Sequence, residues 1–253
     1  ESAVKTHLDF VSNMSKSSLN YDEAQNYFPY LEPSSSSDNT NLGYVNIKSA
    51  ISNYTWGDLD VKRVTEPTVK IKEILGDVGC YELQYKVMAK NEYGTSQYYN
   101  VTEYYRVRQG IGAMYVFVFE RRMDQIFDGS NQNVSTTRIN LGIDSDMEIE
   151  HSYSPKGNYV SFVKERNLWV MDMKKNEIIN VFSFESGSDN DIRDVFDEND
   201  IEIISTDGDG NILFLVYGYM NKGGHEGKVG TALYKYSRTD DLVTELAFVP
   251  STK

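Results

Sequence analysis

Residues Ser152 to Phe182 read SYSPKGNYVSFVKERNLWVMDMKKNEIINVF, and their spacing decides the fold. Ser154-Pro155-Lys156-Gly157-Asn158 strings turn formers together and opens into Tyr159–Val163, an apolar, β-branched and aromatic run of strand length. Lys164-Glu165-Arg166-Asn167 is a second polar turn before the apolar run Leu168-Trp169-Val170-Met171. Asp172 to Glu177 turns the chain again into Ile178–Phe182. Three short strands joined by tight polar turns predict an antiparallel meander, which cannot bury its apolar faces alone.

A second copy of the unit follows. Ser205 to Asn211 stands where the Ser154 turn stood, Ile212–Tyr217 is its first strand, and Gly230–Tyr236 matches the Leu168 run. Ser237 to Asp241 is the polar turn, Leu242–Leu246 closes the unit, and Tyr219 to Val229 is an insertion. Repetition of such a unit predicts sheets that cover one another. The pattern carried by Ser154, Pro155, Gly157, Asn167, Leu168, Trp169, Val170 and Asp172 resembles the blades of TolB-type and dipeptidyl-peptidase-type β-propellers. That resemblance implies a propeller-like architecture and no particular activity. Two units do not close a ring, so either further blades lie outside this sequence or the meanders pack as an open β-rich domain.

Composition bounds the rest. With 253 residues, 40% of them apolar, the chain can bury a sizeable core. A net charge of −13 and a pI near 4.7 lack the basic footprint that nucleic acid or an anionic membrane requires. The lone Cys80 permits no internal disulfide and reads as a small buried hydrophobe. No apolar run reaches the length of a membrane span, and no signal peptide precedes Glu1, which reads as a processed or trimmed start.

Residues 1–40 read as a helical arm followed by a mobile Ser-rich linker: Val4, Leu8, Val11 and Met14 fall at helical spacing, and Glu32 to Asn39 is linker by composition. Residues 41–130 read as an antiparallel sheet with short helices. Tyr81, Leu83, Tyr85, Val87 and Ala89 line one face of a strand, and in the next strand Tyr99, Val101, Tyr105 and Val107 line one face. Met114–Phe119 is apolar on both faces and is expected at the sheet's centre. Helices are expected at Ile47–Tyr54, capped by Asn46, and at Glu120–Phe127. A loop at Asp128–Asn133 marks the boundary to residues 131–253, the propeller-like meanders. The fold class is therefore mainly β, α+β overall.

The stretch Tyr104 to Phe127, which includes Y-Y-R-V-R and F-E-R-R-M-D-Q-I-F, resembles parts of YycH-type proteins. Those are extracytoplasmic, membrane-tethered regulators of a cell-wall-sensing histidine kinase in Gram-positive bacteria. The resemblance implies a protein partner at the cell envelope and a membrane anchor ahead of Glu1; it carries over no catalytic residue.

Asp207-Gly208-Asp209-Gly210-Asn211 alternates oxygen ligands as a calcium loop does, but Tyr219 stands where the bidentate Glu belongs, so a turn is expected. Asp189, Asp191, Asp194, Asp197, Glu198 and Asp200 crowd one connection, which reads as solvated or as holding a cation. Gly223, Gly224, His225 and Glu226 fit neither a phosphate loop, since Lys222 and Val229 occupy its required Gly and Ser/Thr positions, nor a zinc-protease helix, which needs a second His. They read as an exposed hairpin tip and as the leading partner-binding candidate. His7, His151 and His225 have no metal spacing, and no G-x-S-x-G elbow occurs. Trp56, Tyr98 and Tyr104 are candidates for stacking on sugars or proteins. No catalytic, cofactor or metal residue is assigned. The expectation is an extracytoplasmic, non-catalytic binding or regulatory protein; the alternatives are the propeller portion of a hydrolase and a carbohydrate-binding module.

Overall fold

The alternation along Tyr81–Ala89 demands that one sheet face be dry, and in the computed structural model that face is buried from Tyr81 to Ala89. The structure describes residues 2–91, 93–129, 134–135, 137–145, 148–185 and 192–252. The chain forms two units: Glu1–Ile126 with Gly142–Ser145, and Phe127–Leu141 with Asp146–Lys253. Among the described residues no helix is long and apolar enough to cross a membrane. The architecture is mainly β, with antiparallel sheets throughout.

In the first unit, helix α1 (Ser2–Ser17) and the short α2 (Tyr21–Ala24) precede a 3-10 turn at Gln25–Tyr30. The strands are β1 (Tyr44–Asn46), β2 (Lys62–Arg63), β3 (Thr68–Leu75), β4 (Val78–Lys90), β5 (Ser96–Gln109) and β6 (Met114–Gln125), with α3 (Ile51–Tyr54) after β1. The sheet order is β1-β6-β5-β4-β2, with β3 also on β4. Val11 and Met14 of α1 are fully buried against Tyr81, Leu83, Tyr105 and Phe119. Burying such side chains stabilises by about 1.5–3 kcal/mol each, so α1 is a wall of the sheet's core. The Ser-rich segment, expected as a mobile linker, is fastened to the residues that follow β1: Glu32 N–H donates to the Ile47 carbonyl at 2.8 Å and Ser34 N–H to the Lys48 carbonyl at 2.9 Å.

Three local expectations are corrected. Glu120–Gln125 is strand rather than helix, because Arg121 and Met123 point inward while their neighbours point out, and Ile126 and Phe127 follow it outside any element; the 3/4 spacing of Met123, Ile126 and Phe127 is coincidental. Met114–Phe119 is not central: it belongs to β6, whose residues Glu120–Arg122 pair with the three-residue edge strand β1, and β5 is the central strand. The helix predicted from Ile47 begins only at Ile51, and Asn46 accepts from Lys48 N–H at 2.8 Å instead of capping it. Of the boundary loop, Ser130–Asn133 lie outside the described residues, as does Glu92 in the β4–β5 turn.

Two charges are fully buried on the inner face of this sheet. Glu103 on β5 and Arg121 on β6 stand directly opposite each other, and both are fully buried. Glu103 accepts from the Tyr85 hydroxyl at 2.8 Å and the Tyr105 hydroxyl at 2.9 Å. The Arg121 guanidinium donates to the Tyr54 carbonyl at 2.9 Å and the Asn53 carbonyl at 2.6 Å, at the end of α3, and lies 3.5 Å over the Trp56 ring. Trp56, a candidate for stacking on a ligand, is buried, and its indole N–H donates to Ser18, just after α1, at 3.0 Å.

The second unit has β7 (Val134–Ser135) and β8 (Arg138–Ile139) as a small pair, then two four-stranded meanders. The first is β9 (His151–Tyr153), β10 (Tyr159–Lys164), β11 (Asn167–Asp172) and β12 (Glu177–Ser183); the second is β13 (Asn199–Thr206), β14 (Ile212–Tyr219), β15 (Val229–Ser237) and β16 (Leu242–Pro250). Each therefore has one strand more than its sequence repeat revealed: β9 is only three residues long, and β13 starts inside the acidic connection. Leu168, Val170 and Phe184 of the first meander share one core with Ile201, Phe214, Val216 and Ala232 of the second. The register explains the alternation, since Phe214 faces Tyr234 and Val216 faces Ala232 across β14 and β15.

Removing one member of the buried pair leaves an uncompensated charge, which costs about 3–5 kcal/mol. Glu103→Leu and Arg121→Met should each destabilise the first unit by that amount, and the double variant by clearly less than the sum. Urea unfolding followed by Trp56 fluorescence in a Trp169→Phe background reads this out; strict additivity would mean that the two charges are independent.

Candidate functional site

The sequence candidates lie mostly in the second unit, whose meanders are latched at both ends of their strands. At one end the Arg238 guanidinium donates to Asp172 at 2.8 Å and lies 4.9 Å over the Tyr159 ring, and the Arg238 backbone N–H donates to Asn211 Oδ1 at 2.9 Å. At the other, Asn221 donates its amide to the Phe184 carbonyl at 3.0 Å and the Arg193 carbonyl at 3.2 Å, and the Lys222 ammonium bonds the Ser183 carbonyl. Burial holds the Lys222 ammonium below its ordinary value, while Asp194 favours its charged form. Sequence reasoning missed Asn221 and Lys222, because a polar side chain gives no local sign of a carbonyl brought to it from another sheet.

The hairpin-tip candidates belong to the loop from Met220 to Lys228 between β14 and β15. Met220 N–H donates to the Lys228 carbonyl at 2.8 Å and Gly227 N–H to the Met220 carbonyl at 2.9 Å, which closes the loop's base. Gly223 at φ 83° and Gly227 at φ 84° adopt the left-handed conformation that glycine takes without strain. Gly223, Gly224 and Glu226 are exposed. His225 is half-buried: its ring stacks on Phe248 with centroids 3.8 Å apart, and Nε2 meets Glu245 at 2.8 Å. Glu245 also accepts from the Tyr234 hydroxyl at 3.0 Å; burial, then this carboxylate, push that phenol up to about 12. Glu226 lies 3.7 Å from Arg193. The tip is thus a shaped polar loop held on three sides, with two open glycines at its apex.

Asp207 to Asn211 folds as the expected turn. Asp207 Oδ1 accepts from the Asp209 and Asn211 N–H groups at 2.9 Å each, and Oδ2 accepts from the Asn211 amide at 2.8 Å. Against the burial that would raise it, these bonds hold the Asp207 carboxyl below the usual carboxylate value. Its oxygens serve the protein's own N–H groups. In the acidic connection, Asp189 and Asp191 lie outside the described residues, Asp194 sits in the 3-10 turn Ile192–Val195, and Asp200 is in β13. The cation gathered there is the protein's own Arg166, which donates to Asn199 Oδ1 at 2.9 Å through Nε and to the Phe196 carbonyl at 3.0 Å. Burial lowers this guanidinium from its ordinary value, and Asp197, Glu185 and Asp194 oppose the shift.

The three histidines have separate surroundings. His7 meets the Tyr81 hydroxyl at 2.9 Å and is held below its ordinary value by burial, while His151 meets the Ile149 carbonyl at 2.8 Å. Among the described residues no group of three or more His, Cys, Asp and Glu is placed to hold a metal ion. Tyr98 is exposed, and Tyr104 is half-buried on the outward face of β5. Cys80 is buried, with Glu73 4.0 Å from its sulfur. No protein-family model, curated protein or solved structure matches the chain.

The depressed Asp207 carboxyl fixes the sign of a pH effect. Its folded value lies below the unfolded one, so its stabilisation is present above about pH 4 and is lost as pH falls through the folded value. Asp207→Asn should therefore lower the melting temperature at neutral pH, with the gap to wild type closing in more acidic buffer. Calcium and chelator should leave the wild-type melting temperature unchanged; a rise with calcium would show that the turn opens to take the ion.

Proposed function

We propose that the chain is a non-catalytic binding protein of the bacterial cell envelope, which engages a protein partner through the loop at Gly223, Gly224, His225 and Glu226. The observation that carries this reading is the way that loop is held. Stacking on Phe248, the bonds of Asn221 and the approach of Glu226 to Arg193 fix a projecting polar surface before any partner arrives. A preorganised loop loses less conformational entropy on binding than a free one. The envelope setting and the regulatory role rest on the resemblance of Tyr104–Phe127 to YycH-type regulators.

A second reading is that the two meanders are blades of a larger propeller that accompanies a hydrolase domain. It is supported by their sequential strand order and shared core, which is how blades stack. A parent reading frame containing a G-x-S-x-G motif beyond these blades would favour it.

The loop reading is tested by placing a photo-crosslinking residue at position 224, where a side chain meets nothing within 4 Å. Cross-linking in the parent cells should give one dominant protein adduct, and Glu226→Lys should abolish it while the chain still unfolds in one cooperative transition. The same adducts from the Glu226→Lys protein would remove the loop from the binding surface.

A further inference from the structure

One end of the first unit's sheet combines features that the loop reading does not use. Across β3, β4, β5 and β6 the register aligns Leu75, Val78, Arg108 and Tyr115 in one row. Leu75 is 68% exposed, Tyr115 47% and Phe117 46%, and Ile111 in the adjoining turn is fully exposed. These side chains belong to neighbouring positions, so they form one surface rather than scattered apolar residues.

Its aromatic members are held in place. A Cβ on Gly110 would fall 2.4 Å from the Tyr115 ring, so the absent side chain is what lets that ring lie across the turn. The Arg108 guanidinium then stacks 4.9 Å from the Tyr115 centroid and 5.3 Å from that of Phe117. Phe117 is the extra residue of a β-bulge, since Arg106 pairs with Val118 and Val107 with Val116. A bulge re-aims side chains, and here it presents Phe117 outward beside Tyr115.

Charge says what fits there. The chain carries 38 acidic residues against 25 basic ones, yet neither Arg106 nor Arg108 makes a salt bridge to any described carboxylate. Two arginines two residues apart on a strand project from the same face. Stacking on rings leaves a guanidinium's in-plane N–H groups directed outward, which suits carboxylates. Arginine set among exposed aromatic side chains is also the residue mix that dominates binding energy at protein interfaces.

We propose that this surface, centred on Arg108 with Tyr115, Phe117, Ile111 and Leu75, docks a segment of another protein in which carboxylates alternate with apolar side chains. The carboxylates meet Arg108 and Arg106, and the apolar groups cover the exposed rings and Ile111. The inference stands on the first unit alone, so failure of the loop at Gly223–Glu226 would leave it intact, and the reverse holds.

The test uses the whole chain and a fluorescein-labelled peptide of alternating glutamate and leucine, with lysine–leucine and serine–leucine peptides beside it. Fluorescence anisotropy should give saturable binding of the glutamate peptide only, with a Kd on the order of 10 μM. Affinity should weaken as salt is raised, because exposed charges are screened. Arg108→Glu should weaken it by about tenfold or more, and Ile111→Ser, at a fully exposed turn position that leaves folding undisturbed, should weaken it independently. Equal binding of the three peptides, or an unchanged Kd in Arg108→Glu, would overturn the proposal. So would concentration-dependent self-association that Arg108→Glu abolishes, since the occupant would then be a second copy of this chain.

Discussion

At the centre of the first unit a glutamate and an arginine face each other without access to water, and the surrounding architecture follows from satisfying them. Glu103 needs donors, which Tyr85 and Tyr105 supply from two adjacent strands. Arg121 needs acceptors, which come from the last carbonyls of α3. Carbonyls at a helix end run out of intrahelical donors, and although Asn53 also accepts from Trp56 N–H at 3.2 Å, the guanidinium closes the end of α3 while α3 stabilises the charge. Trp56 covers the guanidinium and reaches Ser18, and the Tyr54 hydroxyl donates to the Met14 carbonyl at 2.8 Å. One cross-strand pair thus fixes the sheet, α3 and the end of α1 in a single arrangement.

The second unit solves a different problem. Neither meander can hide its apolar face alone, and the pair shares a core that is otherwise non-directional. Direction comes from the latches: Arg238 with Asp172 at one strand end, and Asn221, Lys222 and Arg166 at the other. Arg166 and Lys222 stand beside the acidic connection, where Asp194 favours the charged form of both and Asp197 that of Arg166. The same latches carry the projecting loop, so the rigidity that holds the sheets together also shapes the surface proposed to bind.

Much of this was legible from residue spacing, and the failures have identifiable physical causes. The strands Val78–Lys90 and Ser96–Gln109 follow from period-two alternation with one wet face. The same rule would have found Glu120–Gln125 had Arg121 been allowed on the dry side; a charged residue at an inward position reads as an exception until its partner is known. Trp56 looked like a surface aromatic because nothing nearby in sequence covers it, and the cover comes from Arg121. At the candidate site, the Asp207 turn was readable because its ligands are its own next residues. His225 was not, because Phe248 and Glu245 reach it only once β16 has folded alongside β15.

By itself the sequence determined the β-rich class, the repeated meander, the turns and the dry faces, all consequences of local periodicity and turn chemistry. Only the tertiary structure decided which polar groups are buried together, which strand lies at an edge, and which arginines stack on rings without a carboxylate. Those outcomes depend on register between segments distant in sequence, and a one-residue change of register would exchange the two faces of every strand concerned.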